Sequence, residues 1–199
     1  MWNERYSEPG FAYGAEPNDF LAANAERYLP ANGEILSLAE GEGRNAVFLA
    51  RRGFRVTAVD GSAVGLEKAR ALAAKHGVGI ETIVADLAEF DLGVGRWDGI
   101  VSIWCHLPAE LRALVHRSVV AALRPGGVFL LEAYTPDQLG YKTGGPSSAE
   151  LLMTLAAVRS ELAGLEFLVG EEKLREVHEG KYHDGTSAVL QVVARKPLG

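Results

Sequence analysis

Two glycines and a downstream carboxylate stand where a protein could hold a nucleoside. Gly41 and Gly43 follow a short apolar run, and Asp60 comes seventeen positions after Gly43, at the end of a β-branched run. Glycine is needed in such a turn because a side chain would keep a ligand from the backbone, and the next helix begins with unpaired N–H groups. A carboxylate about 20 residues past a glycine turn can accept hydrogen bonds from two ribose hydroxyls. The spacing therefore predicts a nucleoside-binding strand, turn and helix.

Further polar side chains stand where later strands should end. Asp86 follows the third predicted strand, and ligands of open parallel sheets bind beyond the carboxyl ends of the strands. We therefore expect Asp60 and Asp86 to flank one crevice, although Asp86 could instead only cap a turn. His106 follows the fourth strand and is the candidate base for an acceptor that must lose a proton, or else a histidine hydrogen-bonded in a loop. Cys105 beside it could contact a soft acceptor or simply pack.

The elements that must position these residues alternate between strand and helix. Strands are predicted over 35–38, 55–60, 80–84, 97–103 and 128–134, and helices over 17–29, 44–52, 62–76, 109–123 and 147–162. Later strands are predicted at 166–169, 173–179 and 187–194, with a tight turn near 180–185. Strands joined so tightly must be antiparallel. The predicted fold class is α/β, a Rossmann-like doubly wound sheet of about seven strands, mostly parallel with a C-terminal antiparallel hairpin.

Two of these helices carry more specific expectations. Periodicity on helix 109–123 places Leu111, Leu114, Val115, Val119 and Ala122 on one face and Arg112, His116 and Arg117 on another. Residues 147–150 form a capping box that predicts the start of the last helix.

Two segments could cover a ligand. The aromatic arm and helix over 1–30 could pack over a bound cofactor or simply pack against the core. The loop over 135–146 is long for a compact domain and follows the fifth strand, so we interpret it as a lid on the acceptor side.

Composition bounds the remaining possibilities. The 199 residues, 48% of them hydrophobic, fit one domain over 1–199. The net charge is −6 and the basic residues are scattered, so we expect no nucleic-acid partner. Cys105 is the only cysteine, which favours the cytoplasm, and no apolar run reaches the roughly 20 residues of a membrane helix. The histidines show no paired metal-ligand spacing. We expect a cytoplasmic monomer or homodimer without metal or membrane partners.

Residues 36–43 resemble the first motif of the class I S-adenosylmethionine (SAM) dependent methyltransferases, in which an acidic and an apolar residue precede a glycine-rich turn. Ser37 stands where that family usually has Asp or Glu, and Ala39 where it usually has the first Gly. In the family the acidic side chain helps to hold the methionine end of the cofactor, and Glu40 could supply that charge here. Residues 41–50 are similar to the branch of small bacterial methyltransferases related to the tellurite-resistance enzymes.

The resemblance implies a SAM cofactor, released as S-adenosylhomocysteine (SAH), and a small-molecule methyl acceptor such as a chalcogen, metalloid or thiol compound. It also implies that Asp86 accepts the adenine amino group while the Leu87 backbone N–H meets a ring nitrogen. The implied cofactor-binding residues are Glu40, Gly41, Gly43, Asp60, Gly61, Asp86, Leu87 and Ile103. Methyl transfer from a sulfonium needs little beyond positioning and desolvation, so His106 is a catalytic candidate only for an acceptor that must be deprotonated.

Two other functions stay open. A nicotinamide-dependent oxidoreductase would need Ala39 or Ala46 in place of a third glycine, and its sheet would normally continue parallel where this chain predicts a hairpin. A non-catalytic SAM-binding module is suggested by Ser37 and Ala39. The tellurite-resistance enzymes place a functional histidine in that hairpin, but neither His178 nor His183 matches its local spacing.

Overall fold

The computed structural model describes residues 2–199 and contains one seven-stranded sheet. The strands are β1 (Glu34–Leu38), β2 (Arg55–Asp60), β3 (Glu81–Val84), β4 (Trp97–Ile103), β5 (Leu123–Tyr134), β6 (Glu166–Glu179) and β7 (His183–Arg195). Their order in the sheet is β3-β2-β1-β4-β5-β7-β6. Neighbours among β1 to β5 are parallel, whereas β7 is antiparallel to both β5 and β6. The predicted fold class is therefore confirmed.

Helices cover both faces of this sheet. They are α1 (Trp2–Tyr6), α2 (Asp19–Tyr28), α3 (Arg44–Arg51), α4 (Ala63–Lys75), α5 (Ala109–Ala122) and α6 (Leu155–Glu161), with 3₁₀ turns at Pro136–Gly140 and Ala149–Leu151. Helices α2 to α4 pack on one face and α5 and α6 on the other. Side chains alternate along the strands, so Ile35 is buried under the first group and Leu36 and Leu38 under the second.

Local sequence explains where several helices begin. The Asn18 side chain accepts the Leu21 N–H at the start of α2, and Ser62 accepts the Gly65 N–H at the start of α4. The N-terminal arm contains the short helix α1, which packs against α4. Met1, the first residue of the predicted arm, lies outside the described residues. None of the helices within residues 2–199 combines the length and apolarity that crossing a bilayer requires.

The predicted faces of α5 were wrong at three positions. Leu114 is 56% exposed, whereas Arg112 and His116 are buried. Both buried side chains bind the carboxylate of Glu161 on α6, at 2.8 Å from Arg112 Nη2 and 2.7 Å from His116 Nδ1. A charged pair becomes compatible with burial when its partner supplies the opposite charge and the hydrogen bonds. The partner lies 49 residues from Arg112, so periodicity alone could not indicate it.

The predicted helix over 147–162 was also wrong in its first half. The capping box forms no side-chain cap at Ser148, and α6 begins only after Thr154, whose hydroxyl accepts the Ala157 N–H. The intervening chain is extended because Met153 donates its N–H to the Tyr134 carbonyl and buries its side chain in the core. The two short strands predicted over 166–179 form one strand, with an irregularity between Phe167 and Val169.

Candidate functional site

A cavity of about 1270 Å³ lies at the carboxyl ends of β1 to β4. Residues at the ends of those strands or just beyond them line it, among them Glu40, Asp60, Asp86 and Ile103. Three other segments complete the lining: the arm through Trp2, Arg5, Tyr6, Tyr13 and Gly14, the loop through 142–148, and the β6–β7 turn through 181–184. Asp60 and Asp86 thus flank one open crevice, as the sequence predicts. Both candidate lids border the same space, and their closure over a ligand stays a prediction.

The glycine turn between β1 and α3 has the predicted shape, but the reason why it requires glycine differs from the predicted one. Gly41 and Gly43 have φ of 64° and 92°, in the left-handed region that favours glycine. A Cβ on Gly43 would lie 2.5 Å from the Ala69 Cβ on α4, and one on Gly41 would lie 2.7 Å from the Tyr6 hydroxyl. Protein side chains, rather than a ligand, therefore exclude a Cβ, and neither glycine is among the residues that line the cavity.

Glu40 fills the N-terminus of α3 with its own carboxylate. Its Oε1 accepts the backbone N–H groups of Asn45 at 3.1 Å and Ala46 at 2.9 Å, and its Oε2 accepts the Ser37 hydroxyl. Burial raises the pKa of Glu40 to about 7, and the Ser37 hydrogen bond limits that rise. A buried carboxyl group with access to the cavity therefore stands at the helix start, three positions after the usual acidic position.

Asp60 ends β2 and ties the glycine turn to the start of α4. Its Oδ2 accepts the Gly41 N–H at 2.8 Å, and its Oδ1 accepts the Ser62 N–H at 2.7 Å. Burial raises the pKa of this carboxyl group. A carboxylate has about four acceptor positions, so two remain for other donors. Gly61, beside it, also lines the cavity.

Asp86 and Leu87 line the cavity beyond β3. Asp86 is exposed, and its Oδ1 accepts the Ala88 N–H at 2.9 Å, so the turn-capping role is present. Its second oxygen makes no hydrogen bond to any residue within 2–199. Val84 lies beside them with 55% of its surface exposed, which is unusual for a valine at a strand end. This side of the cavity therefore combines a free carboxylate oxygen with an apolar surface.

His106 lines the cavity, but main-chain groups engage both of its ring nitrogens. Its Nδ1 lies 2.9 Å from the Leu151 carbonyl and must carry the proton there, while Nε2 receives the Tyr134 N–H at 3.4 Å. Burial lowers the pKa of His106 to about 4. Burial likewise raises the pKa of the neighbouring Cys105 thiol to about 12. The hydrogen-bonded alternative for His106 is therefore observed, and its catalytic role stays a prediction that requires one of these bonds to open.

Sequence reasoning missed Trp104, the first residue after β4. Its φ of 56° is left-handed, an uncommon conformation for a bulky residue and one that occurs most often at functional sites. Its indole N–H donates to Glu179 at 2.6 Å, and its ring stacks on buried Tyr134 with centroids 4.3 Å apart. The only local signal for this residue is its position directly after a buried strand.

Sequence reasoning also missed Glu179, which ends β6 and holds several elements together. It binds Arg44 Nη2 at 2.5 Å and the Asn18 amide at 2.8 Å, besides Trp104. Burial alone would raise the pKa of Glu179, but His183, Arg44 and Trp104 hold it well below its ordinary value. Because Arg44 is the first residue of α3 and Trp104 directly follows β4, one buried carboxylate fixes the glycine turn relative to the carboxyl end of β4.

Of the two hairpin histidines, only His183 lines the cavity. Its Nδ1 is buried without a hydrogen bond to any described residue and lies 3.9 Å from a Glu179 oxygen. Burial lowers the pKa of His183. His178 is exposed and does not line the cavity, although it pairs at 2.6 Å with Asp184, which does.

Comparison with known proteins agrees with this geometry. Residues 35–127 match a family model described as a methyltransferase domain. A 2-heptyl-1-hydroxyquinolin-4(1H)-one methyltransferase of Mycobacteroides abscessus is 32% identical over 114 residues, 53% of this chain and 50% of that protein. The chain therefore spans about half the length of the curated relative that it matches.

Solved structures share the fold across most of the chain. One, from work on the conversion of a disulfide bond into a thioacetal group during echinomycin biosynthesis, has a TM-score of 0.78 and 19% identity, covering 99% of this chain and 88% of that one. TehB from Haemophilus influenzae has a TM-score of 0.72 and 20% identity, covering 98% of this chain and 65% of that one. The domain match over residues 35–127 and the shared fold support the resemblance to the class I SAM-dependent methyltransferases. The TehB match shows a shared fold, and the closer resemblance to the tellurite-resistance branch stays a prediction.

Proposed function

We propose that the protein is a SAM-dependent methyltransferase that acts on a small-molecule acceptor. The observation that carries this proposal is the carboxylate of Glu40 at the N-terminus of α3. Dinucleotide-binding proteins use the unpaired N–H groups of that helix start to bind pyrophosphate. Here a carboxylate already occupies them, and it would repel a phosphate and attract an ammonium group. SAM carries an ammonium group at its methionine end and no phosphate, so the nicotinamide alternative is not favoured.

The residues at the strand ends fit the rest of the cofactor. Asp60 has acceptor positions left for ribose hydroxyls, and Asp86 has a free oxygen for the adenine amino group. Exposed Val84 and the partly buried Leu87 offer an apolar surface to a purine ring. When bound, SAM supplies an electrophilic methyl group, whose carbon bonds to a lone pair of the acceptor while the electrons of the broken C–S bond stay on sulfur.

The size of the cavity supports an acceptor beside the cofactor. Single ligand pockets usually measure about 300–1000 Å³, and this cavity reaches about 1270 Å³. The resemblance implies a chalcogen, metalloid or thiol acceptor. The name of the curated relative, a methyltransferase for a heptyl-hydroxyquinolone, supports an aromatic acceptor as a second candidate. A small-molecule acceptor, a monomeric or homodimeric state without nucleic acid and a cytoplasmic location stay predictions.

Calorimetric titration with SAH and with NADH tests the proposal. We expect SAH to bind and NADH not to bind. The Glu40→Gln variant should bind SAH more weakly and should still not bind NADH. If NADH binds and SAH does not, SAM would be rejected as the cofactor. A protein that binds SAH but transfers no methyl group to a broad panel of chalcogen, thiol, amine and aromatic acceptors would instead be the non-catalytic SAM-binding module.

A further inference from the structure

Aromatic rings form a wall along the part of the cavity that lies away from the carboxylates. Asp60 and Asp86 follow β2 and β3, whereas this wall is built at the other side of β1 in the sheet. The ring of Tyr13 lies 4.7 Å from that of His183, and His183 lies 5.2 Å from Trp104. All three line the cavity, and their planes are inclined by 46° between Tyr13 and His183 and by 71° between Trp104 and His183. The wall therefore offers aromatic faces and edges against which a planar ring can pack.

One residue of this wall, Trp104, has an unfavourable backbone conformation. The left-handed backbone of Trp104 persists because a buried carboxylate, that of Glu179, binds the indole N–H and because Tyr134 supports one face of the ring. Such conformations persist only where the surrounding structure enforces them, and they cluster at sites that clamp ligands. The placement of Trp104 is therefore an observation independent of the aromatic composition of the wall.

Basic groups border the same part of the cavity. The Arg5 guanidinium donates to the Tyr13 hydroxyl at 2.8 Å and lies 4.6 Å from the Tyr182 ring. It forms no ion pair with a carboxylate of the described chain, and Lys142 forms none either. Both line the cavity, and Arg5 lies beside the Tyr13 and Tyr182 rings, whereas Asp60 and Asp86 lie at the ends of β2 and β3. The end of the cavity where the cofactor would lie is therefore acidic, and cationic groups lie beside the aromatic wall, where Asp184 is also part of the lining.

We infer that the methyl acceptor is a planar aromatic compound that carries an anionic group. Its ring packs against Trp104 and Tyr13, and its anionic group lies near Arg5 and Lys142. An inorganic oxyanion would meet the basic groups but leave the aromatic wall bare, and an aliphatic thiol would use neither feature. This inference rests on the proposed function, because it assigns the cofactor to the acidic end.

Titration of the SAH-saturated protein with four probes tests the inference. The probes are 2-naphthoate, its neutral analogue 2-naphthamide, the aliphatic anion octanoate and selenite. We expect 2-naphthoate to bind about tenfold more tightly than each of the others, since only it uses both features. Arg5→Met should lower the affinity for 2-naphthoate about tenfold, because one charge-assisted contact is lost. The affinities for 2-naphthamide and SAH should stay unchanged.

Arg27→Met is the matched control. Arg27 also stacks on a tyrosine, Tyr28, but does not line the cavity, so its loss should change none of the affinities. Lys142→Met, in an exposed loop, repeats the charge test if Arg5→Met unfolds. The inference would be overturned if octanoate or selenite bound as tightly as 2-naphthoate. It would also be overturned if Arg5→Met lowered the affinities for both naphthyl probes equally. Failure of the wild type to bind SAH would reject the proposed function and this inference with it; SAH binding without aromatic preference would reject only the inference.

Discussion

The hydroxyl of Ser37 donates a hydrogen bond to the carboxylate of Glu40, three residues further along the chain. The first residue lies in β1, one position before its end, where the family usually has an acid, and the second supplies the acid from within the turn. Because the carboxylate also accepts two N–H groups at the start of α3, its position is fixed by the backbone. The departure at Ser37 is therefore linked to Glu40, and the negative charge lies in the turn instead of the strand.

SAH affinity should depend on pH through Glu40. Burial raises the pKa of Glu40 to about 7, so the charge that attracts an ammonium group forms as the pH rises through neutrality. We expect SAH to bind about five- to tenfold more tightly at pH 8 than at pH 6. Titration calorimetry across that range measures the change, and Glu40→Gln should abolish it. Glu34→Gln, at the opposite edge of the sheet, should keep the wild-type dependence; a flat wild-type profile would exclude Glu40 from the methionine end.

Asp60→Ala should weaken SAH binding by about 1.5–3 kcal/mol, the cost of one hydrogen bond to a charged group. Asp98→Ala is the control, since Asp98 also holds a backbone N–H, that of Glu34, but at the amino end of β4. Asp60→Ala loses two backbone hydrogen bonds, and Asp98→Ala loses one together with an ion pair to Arg124. Both variants thus lose structural contacts, but only Asp60 lines the cavity. An unchanged dissociation constant in Asp60→Ala would count against the ribose role.

Local sequence patterns predicted the strands and the residues at their ends, but they could not predict side chains whose role depends on contacts far apart in the chain. Strands β2 and β4 were predicted to the residue, because β-branched and apolar runs specify buried parallel strands. The cavity-lining carboxylates were found because the ends of parallel strands meet at one edge of the sheet. Trp104 and Glu179 were missed because their neighbourhood depends on β7 inserting between β5 and β6, which no local pattern indicates.

The ion pairs of Glu161 should contribute to stability. Burial would raise the pKa of this carboxyl group, but His116 and Arg112 lower it to about 2. A lowered pKa means that the contribution is complete above the ordinary value and is lost as the pH falls toward 2. Glu161→Ala, which leaves Arg112 buried without its partner, should cost about 3–5 kcal/mol in urea unfolding at pH 7.

The control for that variant is Glu26→Ala. Its partner Arg52 is half exposed, and such surface pairs contribute about 0–1 kcal/mol. The difference between the variants should shrink as the pH is lowered from 5 to 3. Equal losses in the two variants at pH 7 would contradict the assignment of a buried pair.

His106 should stay neutral across the physiological range. Burial lowers its pKa to about 4, whereas Asp184 raises the pKa of exposed His178 above its ordinary value. An NMR titration of the imidazole signals should therefore show His178 losing its proton above pH 6.5 and His106 already neutral at pH 6. A His106 midpoint near 6.5 would mean that its main-chain hydrogen bonds open in solution, and it would restore the histidine as a candidate base.

Gly43→Ala should destabilise the protein by about 2–4 kcal/mol, from left-handed backbone strain and from overpacking against α4. The two causes can be separated by a second glycine. Gly77 has a similar φ of 68°, but no atom lies within 4 Å of the place that an added methyl group would take. Gly77→Ala should therefore cost only about 1 kcal/mol in urea unfolding, the part that comes from the backbone.

Removing the opposing methyl group should relieve only part of the overpacking, because the Ala69 Cα also lies 2.6 Å from the place of the added Cβ. A Cβ at position 43 would lie 2.5 Å from the Ala69 Cβ, so the double variant Gly43→Ala with Ala69→Gly should be less destabilised than the two single losses added together. Urea unfolding of the four proteins gives that coupling energy. Additive losses would show that the Ala69 methyl group does not limit the packing, and the α4 backbone and the left-handed φ of Gly43 would then remain as the causes.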